Sequence, residues 1–182
     1  MRSPENTVDT GYSKLSIGLH WFMLLLLAVV YALIELRELY PRGSEIREAF
    51  KAWHFTIGLL VFGLVWIRLV ARVQTSRPPQ PKSAADWLAA AMHLALYGLM
   101  VLMPVVGWMV LSASGKPIPF FGIELPALIP PNKPLGEQLK EVHEVVGVAG
   151  YWLVGLHASA ALIHHYLLKD GTLRRMLPTA KT

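Results

Sequence analysis

Four long apolar segments, separated by polar or proline-rich stretches, dominate the pattern of hydrophobic and polar positions along the chain. They run approximately over residues 16–36, 50–72, 86–111 and 140–168. Each has the roughly 20 residues that a helix needs to cross a bilayer. The pattern predicts an all-α integral membrane protein, a four-helix bundle that forms a single domain over residues 1–182.

The three connections between these segments differ in character. Residues 35–51 are short and charged, whereas residues 74–82 carry Pro78, Pro79 and Pro81 and predict a stiff polar hinge. Residues 112–140 contain six prolines and predict an ordered cap across one end of the bundle. Glu144 is expected in the first turn of the fourth helix, where an acid suits the helix dipole.

The composition supports a membrane setting and excludes several kinds of chemistry. Hydrophobic residues make up 54% of the chain and charged residues only 16%, against about 25% charged residues in soluble proteins. There are no cysteines, which excludes disulfides, thiolate clusters and covalently attached c-type haem. The net charge of +5 is not gathered into one basic stripe, so we expect membrane lipid and no nucleic acid as partner.

The distribution of Lys and Arg predicts the orientation in the membrane. Ten lie on the side that carries both termini, namely Arg2, Lys14, Arg68, Arg72, Arg77, Lys82, Lys169, Arg174, Arg175 and Lys181. Seven lie on the opposite side, namely Arg37, Arg42, Arg47, Lys51, Lys116, Lys133 and Lys140. Because basic residues are enriched on the cytoplasmic side, both termini are predicted to be cytoplasmic.

All seven histidines fall within the apolar segments: His20, His54, His93, His143, His157, His164 and His165. An ionisable side chain inside a membrane span is costly, so it indicates a functional role by default. For any single histidine, an ordinary hydrogen-bonded or interfacial role is an equal alternative. For all seven together, a shared chemical role is the better interpretation.

Depth in the membrane groups four of the histidines into two pairs. His54 and His143 lie near the outer starts of the second and fourth helices. His20 lies near the inner start of the first helix. His157 follows His143 by 14 residues, which is ~21 Å along a helix and ~40° from the same direction. The sequence therefore predicts one same-depth pair near each membrane face.

Small residues follow these histidines on the same stripe of the fourth helix. Gly147 and Gly150 follow His143, and Ala161 follows His157. They could leave space for a flat macrocycle beside its ligands. Close packing of neighbouring helices is the alternative explanation for small residues in membrane helices.

Isolated pairs of histidines favour haem over other metal sites. Zinc and di-iron sites usually bring three or four ligands to one point, often with carboxylates. Two imidazoles on opposite helices fit the axial ligation of a haem, and an iron with both axial positions filled passes electrons rather than binding gases. The sequence thus predicts two non-covalent haem b groups.

Several motifs resemble the bacterial cytochrome b561 family over nearly the whole chain. They are Y-S-K-L-S-I-G-L-H-W (12–21), Y-P-R (40–42), W-H-F-T-I-G (53–58), H-L-A-L-Y-G (93–98), M-P-V-V-G (103–107), V-H-E (142–144) and G-Y-W-L-V-G-L-H-A-S-A-A-L-I-H-H-Y (150–166). The resemblance implies a multi-pass protein of the bacterial inner membrane, with one haem between His20 and His157 and another between His54 and His143. It also implies electron exchange with ubiquinone or a similar quinone, and some members are similar to superoxide oxidases.

The expected function is therefore electron transfer across the bilayer from an outer-side donor to membrane quinone. Superoxide or another periplasmic donor could supply the electrons. One alternative is a haem-bearing membrane anchor and relay subunit of a larger dehydrogenase or hydrogenase. A further alternative is a bundle without redox function whose histidines bind a transition metal.

Other residues are candidates for supporting roles. His93, His164 and His165 lie toward the cytoplasmic face and could serve a quinone site, because quinone reduction needs proton donors. An interfacial or propionate-bonding role is the alternative for each. Arg68 is expected to pair with haem propionates, whereas Arg72 is expected to extend to the interface.

A cluster of basic residues lies beside the outer pair. Arg37, Arg42, Arg47 and Lys51 could attract an anion such as superoxide. Four glutamates are interleaved with them, at positions 35, 38, 45 and 48, which reduces the expected net field.

Overall fold

The structure is a computed structural model that describes residues 13–75 and 83–177. Its four main helices are α1 (Lys14–Leu36), α2 (Glu45–Thr75), α3 (Ala84–Ala113) and α4 (Lys133–Tyr166). All four are long and apolar enough to cross a membrane, which confirms the all-α membrane bundle. The proline-rich hinge predicted at 74–82 lies, from residue 76 onward, outside the described residues.

The helices alternate in direction, so each end of the bundle collects the starts of two of them. We name the end where α2 and α4 begin the outer end, and the end where α1 and α3 begin the inner end. The helices pack in sequence order, α1 against α2, α2 against α3 and α3 against α4. A small apolar core joins Met23 and Leu26 of α1 to Val61 and Val65 of α2.

Helix α4 begins seven residues before the predicted segment. Asn132 caps it by accepting a hydrogen bond from the backbone N–H of Leu135 (3.2 Å). Pro134 stands in the first turn, where a missing N–H costs nothing. The expectation that Glu144 occupies the first turn is wrong. Glu144 lies well inside the helix and pairs with Lys140 at 3.0 Å.

Helix α2 likewise begins five residues earlier than its predicted segment, at Glu45. The physical reason is the same at both helices. Their first turns are charged, because they continue the helix beyond its apolar stretch at the outer end, and a search for apolar residues alone stops where the charges begin.

The connection between α3 and α4 forms a cap at the outer end that contains a small antiparallel hairpin. Its strands are β1 (Ile118–Phe120) and β2 (Ile123–Leu125), which the all-α prediction did not include. Thr56 of α2 donates a hydrogen bond to the Pro119 carbonyl (3.2 Å), and Trp108 of α3 donates one to the Pro126 carbonyl (3.0 Å). The cap is thereby held to two helices.

Candidate functional site

The outer pair brings His54 of α2 beside His143 of α4. Their ring centroids are 6.3 Å apart, and the ring planes are inclined at 73°. Nδ1 of His54 lies 2.9 Å from the backbone carbonyl of Val30 in α1. Because a carbonyl can only accept, Nδ1 carries the proton of the neutral ring, and Nε2 keeps the lone pair that a metal requires.

His143 is held in a tight, buried position. Its Nδ1 is buried and has no hydrogen-bond partner among the described residues. Gly107 of α3 faces the ring so closely that a Cβ there would lie 3.2 Å from Cε1 of His143. A buried ring nitrogen without a partner is costly unless another group satisfies it, and either the nearby backbone carbonyl of Met103, after a small shift, or a bound metal would be such a group.

The inner pair brings His20 of α1 beside His157 of α4. Their ring centroids are 6.4 Å apart, with an angle of 71° between the planes. His93 of α3 also approaches His157, with 5.6 Å between centroids. The imidazole of His157 is therefore flanked by two others, which the depth argument did not anticipate, although it placed His93 at a similar depth.

The spacing of both pairs suits one metal between two imidazoles. Two metal–nitrogen bonds of about 2 Å, plus about 1 Å from each nitrogen to its ring centre, give roughly 6 Å. Across residues 13–75 and 83–177, no group of three or more His, Asp or Glu side chains converges to hold a metal ion. A two-ligand arrangement fits haem, whose macrocycle supplies the remaining positions, better than zinc or di-iron.

Arg68 makes the inner end chemically different from the outer end. Its Nη2 lies 2.9 Å from Nδ1 of His20, and its Nε donates to the hydroxyl of Tyr97 (3.2 Å). A guanidinium only donates, so Nδ1 of His20 accepts, and the proton of the neutral ring sits on Nε2. Iron could bind Nε2 of His20 only after this contact changes.

Tyr97 was not identified from the sequence as part of this site. It lies one turn after His93, which would have placed both on the same face of α3. Besides receiving the bond from Arg68, its ring has the guanidinium of Arg72 5.7 Å from its centroid. Arg72 was expected to extend to the interface, whereas in the structure it stacks on Tyr97.

The other two quinone candidates lie at the end of α4. Nδ1 of His164 lies 2.5 Å from Oδ2 of Asp170, and the backbone N–H of Thr172 donates to Oδ1 of Asp170 at 2.9 Å. These two hydrogen bonds lower the pKa of the Asp170 carboxyl to about 2. His165 faces an open pocket of about 260 Å³, which is also lined by Tyr166, Lys169, Arg174 and the same Asp170.

The basic residues at the outer end are mostly paired with acids. Arg47 is only 7% exposed, and its Nη2 binds both carboxylate oxygens of Glu38 at 2.9 Å. Arg37 also contacts Glu38 (2.9 Å), and Lys51 contacts Glu48 (2.6 Å). Three of the four predicted anion-attracting side chains therefore have a carboxylate partner, although Arg37 and Arg47 share the single carboxylate of Glu38.

Comparison with known proteins agrees with this architecture. The sequence pattern of the prokaryotic cytochrome b561 family matches residues 11–179. The chain is 36% identical over 173 residues to cytochrome b561 homolog 1 of Escherichia coli K12, covering 93% of this chain and 98% of that protein. It is also 36% identical over 170 residues to the probable superoxide oxidase CybB of Yersinia pestis, covering 92% and 96%. It is 34% identical over 186 residues to cytochrome b561 homolog 2 of E. coli K12, covering 91% and 90%.

Members of this family bind haem b and transfer electrons as multi-pass proteins of the bacterial inner membrane. The match covers all of the described residues, including every histidine of the two pairs. The chain therefore belongs to the prokaryotic cytochrome b561 family.

Proposed function

We propose that the chain holds two haem b groups, one between His20 and His157 and one between His54 and His143, and carries electrons across the bilayer. The electrons come from a donor at the outer end and reduce membrane quinone at the inner end, with both termini cytoplasmic. The observation that carries this proposal is the presence of two imidazole pairs of nearly equal spacing, 6.3 and 6.4 Å, at opposite ends of the bundle.

Haem b, when bound, supplies the reversible one-electron chemistry of iron. The chain supplies the ligands and their orientation. At the outer end, the Val30 carbonyl fixes the tautomer of His54, and Gly107 leaves room for the ring of His143. At the inner end, a propionate is a stronger acceptor for a guanidinium than a neutral imidazole. Arg68 is expected to exchange His20 for such a carboxylate, which frees His20 to bind iron.

The inner end also offers the proton donors that quinone reduction requires. Reduction of a quinone to a quinol takes two electrons and two protons. Asp170 stays ionised and accepts from Nδ1 of His164, which orients that ring and leaves Nε2 free to exchange a proton. Nδ1 of His93 donates to the Ala89 carbonyl of its own helix at 2.7 Å, so Nε2 of the neutral ring carries a lone pair that can take up a proton and pass it on. His165 lines the open pocket that Asp170, the partner of His164, also lines.

Superoxide is the donor that we propose, supported by the name of the Yersinia pestis relative. Two superoxide ions would be oxidised to two molecules of O₂ while one quinone and two protons give one quinol. Because Arg37, Arg47 and Lys51 are paired with carboxylates, attraction of the anion by these residues is not part of the proposal.

The test combines haem quantitation with ligand variants of the purified protein. We expect two haems per chain, loss of one and the same haem in His54→Ala and His143→Ala, and loss of the other in His20→Ala and His157→Ala. His93→Ala should keep both haems. Loss of the inner haem in His93→Ala, with retention in His20→Ala, would overturn the inner pairing.

The activity test is a pulse of superoxide given to the purified protein with ubiquinone, followed by measurement of quinol. Quinol formation by the protein alone supports the proposed reaction. Lack of activity alone, together with co-purification of a catalytic partner, would favour the anchor and relay subunit instead.

A further inference from the structure

Helix α1 supplies no histidine to the outer pair, yet it contacts both helices that do. The backbone carbonyl of Val30 receives the hydrogen bond from His54 of α2 (2.9 Å). The next residue, Tyr31, reaches across to α4, where its hydroxyl donates to the carbonyl of Gly147 (3.0 Å). Gly147 lies one turn beyond His143 on the same helix.

The contact between Tyr31 and α4 depends on a glycine. A Cβ at Gly150 would collide with the hydroxyl oxygen of Tyr31 and would lie 3.2 Å from Leu99 of α3. Gly150 is buried. Of the two explanations for small residues on this stripe, close packing is the one that the structure shows at this position. Even alanine at position 150 would push Tyr31 away from the Gly147 carbonyl.

A second aromatic ring supports Tyr31 in this place. The ring of Tyr151 in α4 lies 4.2 Å from the ring of Tyr31, centroid to centroid, and its hydroxyl donates to Oε1 of Glu35 (2.7 Å). Glu35 is one turn after Tyr31 on α1. The two helices otherwise pack mainly against α2 and α3, so these side chains form the described link between α1 and α4 near the outer pair.

We propose that Val30 and Tyr31 are positioning residues that set the outer haem site: the Val30 carbonyl orients the ring of His54, and Tyr31, seated over Gly150, fixes the rotation and height of α4 at His143. Groups that orient metal ligands contribute strongly to metal affinity and tune the metal. Adjacent residues on one helix thus couple the two ligands to each other. This inference rests on the proposed role of His54 and His143 as haem ligands.

The test is Tyr31→Phe, which keeps the ring and removes the hydroxyl, in the haem-loaded protein. We expect the low-spin EPR signal of the outer haem to shift, because it reports the angle between the ligand planes, while the inner haem signal stays unchanged. We also expect the outer haem to be lost to apomyoglobin about fivefold faster, as removal of one net hydrogen bond of about 1 kcal/mol implies. Gly150→Ala should give the same outer-haem signature.

The matched control is Tyr40→Phe, which also removes one hydroxyl at the outer end, where the ring of Tyr40 lies against Phe50 of α2. It should leave both EPR signals unchanged. If Gly150→Ala fails to fold, the EPR signals of Tyr31→Phe alone still test the positioning role. Tyr31→Phe with a wild-type outer signal, or with a shift of the inner signal instead, would overturn the positioning role.

His54→Ala separates this inference from the proposed function. If it removes the outer haem while Tyr31→Phe changes nothing, the ligand assignment stands and the positioning role fails. If it leaves both haems in place, the ligand assignment fails and the positioning role fails with it.

Discussion

Substitution of Gly107 by alanine tests how tightly the outer site is built. The added Cβ would lie 3.2 Å from Cε1 and 3.6 Å from Nδ1 of His143, closer than most such contacts, so the ring must move by a few tenths of an ångström. Insertion of one carbon into a well-packed position costs about 1–3 kcal/mol. If that cost falls on the haem-binding position of His143, the outer haem binds about five- to 150-fold more weakly.

Gly98→Ala is the matched control on the same helix. A Cβ at Gly98 meets nothing within 4 Å. Gly98 shares a stripe with Leu94 and Leu102, which are 75% and 63% exposed and face outward. Both substitutions bring the same gain in helix propensity, of about 1 kcal/mol, so this gain cancels in the comparison.

The assay is the haem content per chain after purification, combined with a redox titration that resolves the two haems. Gly107→Ala should lose or weaken only the outer haem, and Gly98→Ala should keep both. Two haems with wild-type potentials in Gly107→Ala would refute the reasoning, because they would show that the ring of His143 does not need the space that Gly107 provides.

Three further predictions address other parts of the chain. Arg68→Gln removes a positive charge next to His20. The reduction potential of the inner haem should therefore fall by an amount on the order of 1 kcal/mol per electron. An unchanged potential in a redox titration would contradict the proximity of the charge. The pKa of Asp170 is lowered to about 2, below the ordinary value of about 3.9, so its stabilisation of the segment after α4 is complete above pH ~4 and is lost as the pH falls toward 2. In the wild-type protein, pepsin should therefore cleave that segment faster as the pH falls from ~4 to ~2. The Asp170→Asn variant should already be cleaved readily at pH ~4. Equal cleavage rates for the two proteins at that pH would be evidence against the effect. Arg47→Gln removes hydrogen bonds to two backbone carbonyls and a carboxylate, so the free energy of unfolding should fall by about 1–3 kcal/mol. Lys51→Gln, at an exposed ion pair, should change the free energy of unfolding by less than about 1 kcal/mol. Equal thermal shifts for the two variants would contradict this ranking.

The number and order of the helices could be predicted from sequence because each helix contains an apolar run long enough to cross a bilayer. The starts of α2 and α4 could not, because Glu45 and Lys133 begin charged turns that extend the helices beyond those runs. The hairpin in the cap was also missed. Its strands have three residues each, too few for a recognisable alternation of apolar and polar residues.

The grouping of the histidines followed from helix rise and direction alone, and the structure places His20 beside His157 and His54 beside His143. The surroundings of these rings depend on side-chain direction across helices, which sequence spacing does not provide. Two contacts depend on such side-chain directions: Arg68 with His20, and the hydroxyl of Tyr31 with the backbone at Gly150. A search for tyrosines at the depth of each glycine of α4 would have been the available signal for the second contact.

Helix α4 carries one histidine of each pair, so the helix itself sets the distance between the two pairs. The separation of the two sites along the membrane normal is set by the 14 peptide units between His143 and His157, ~21 Å of helix, and not by how loosely the other helices pack. A single inserted residue between them would turn one site away from its partner by ~100°. The length of this stretch of backbone therefore fixes the distance between the two proposed haem sites.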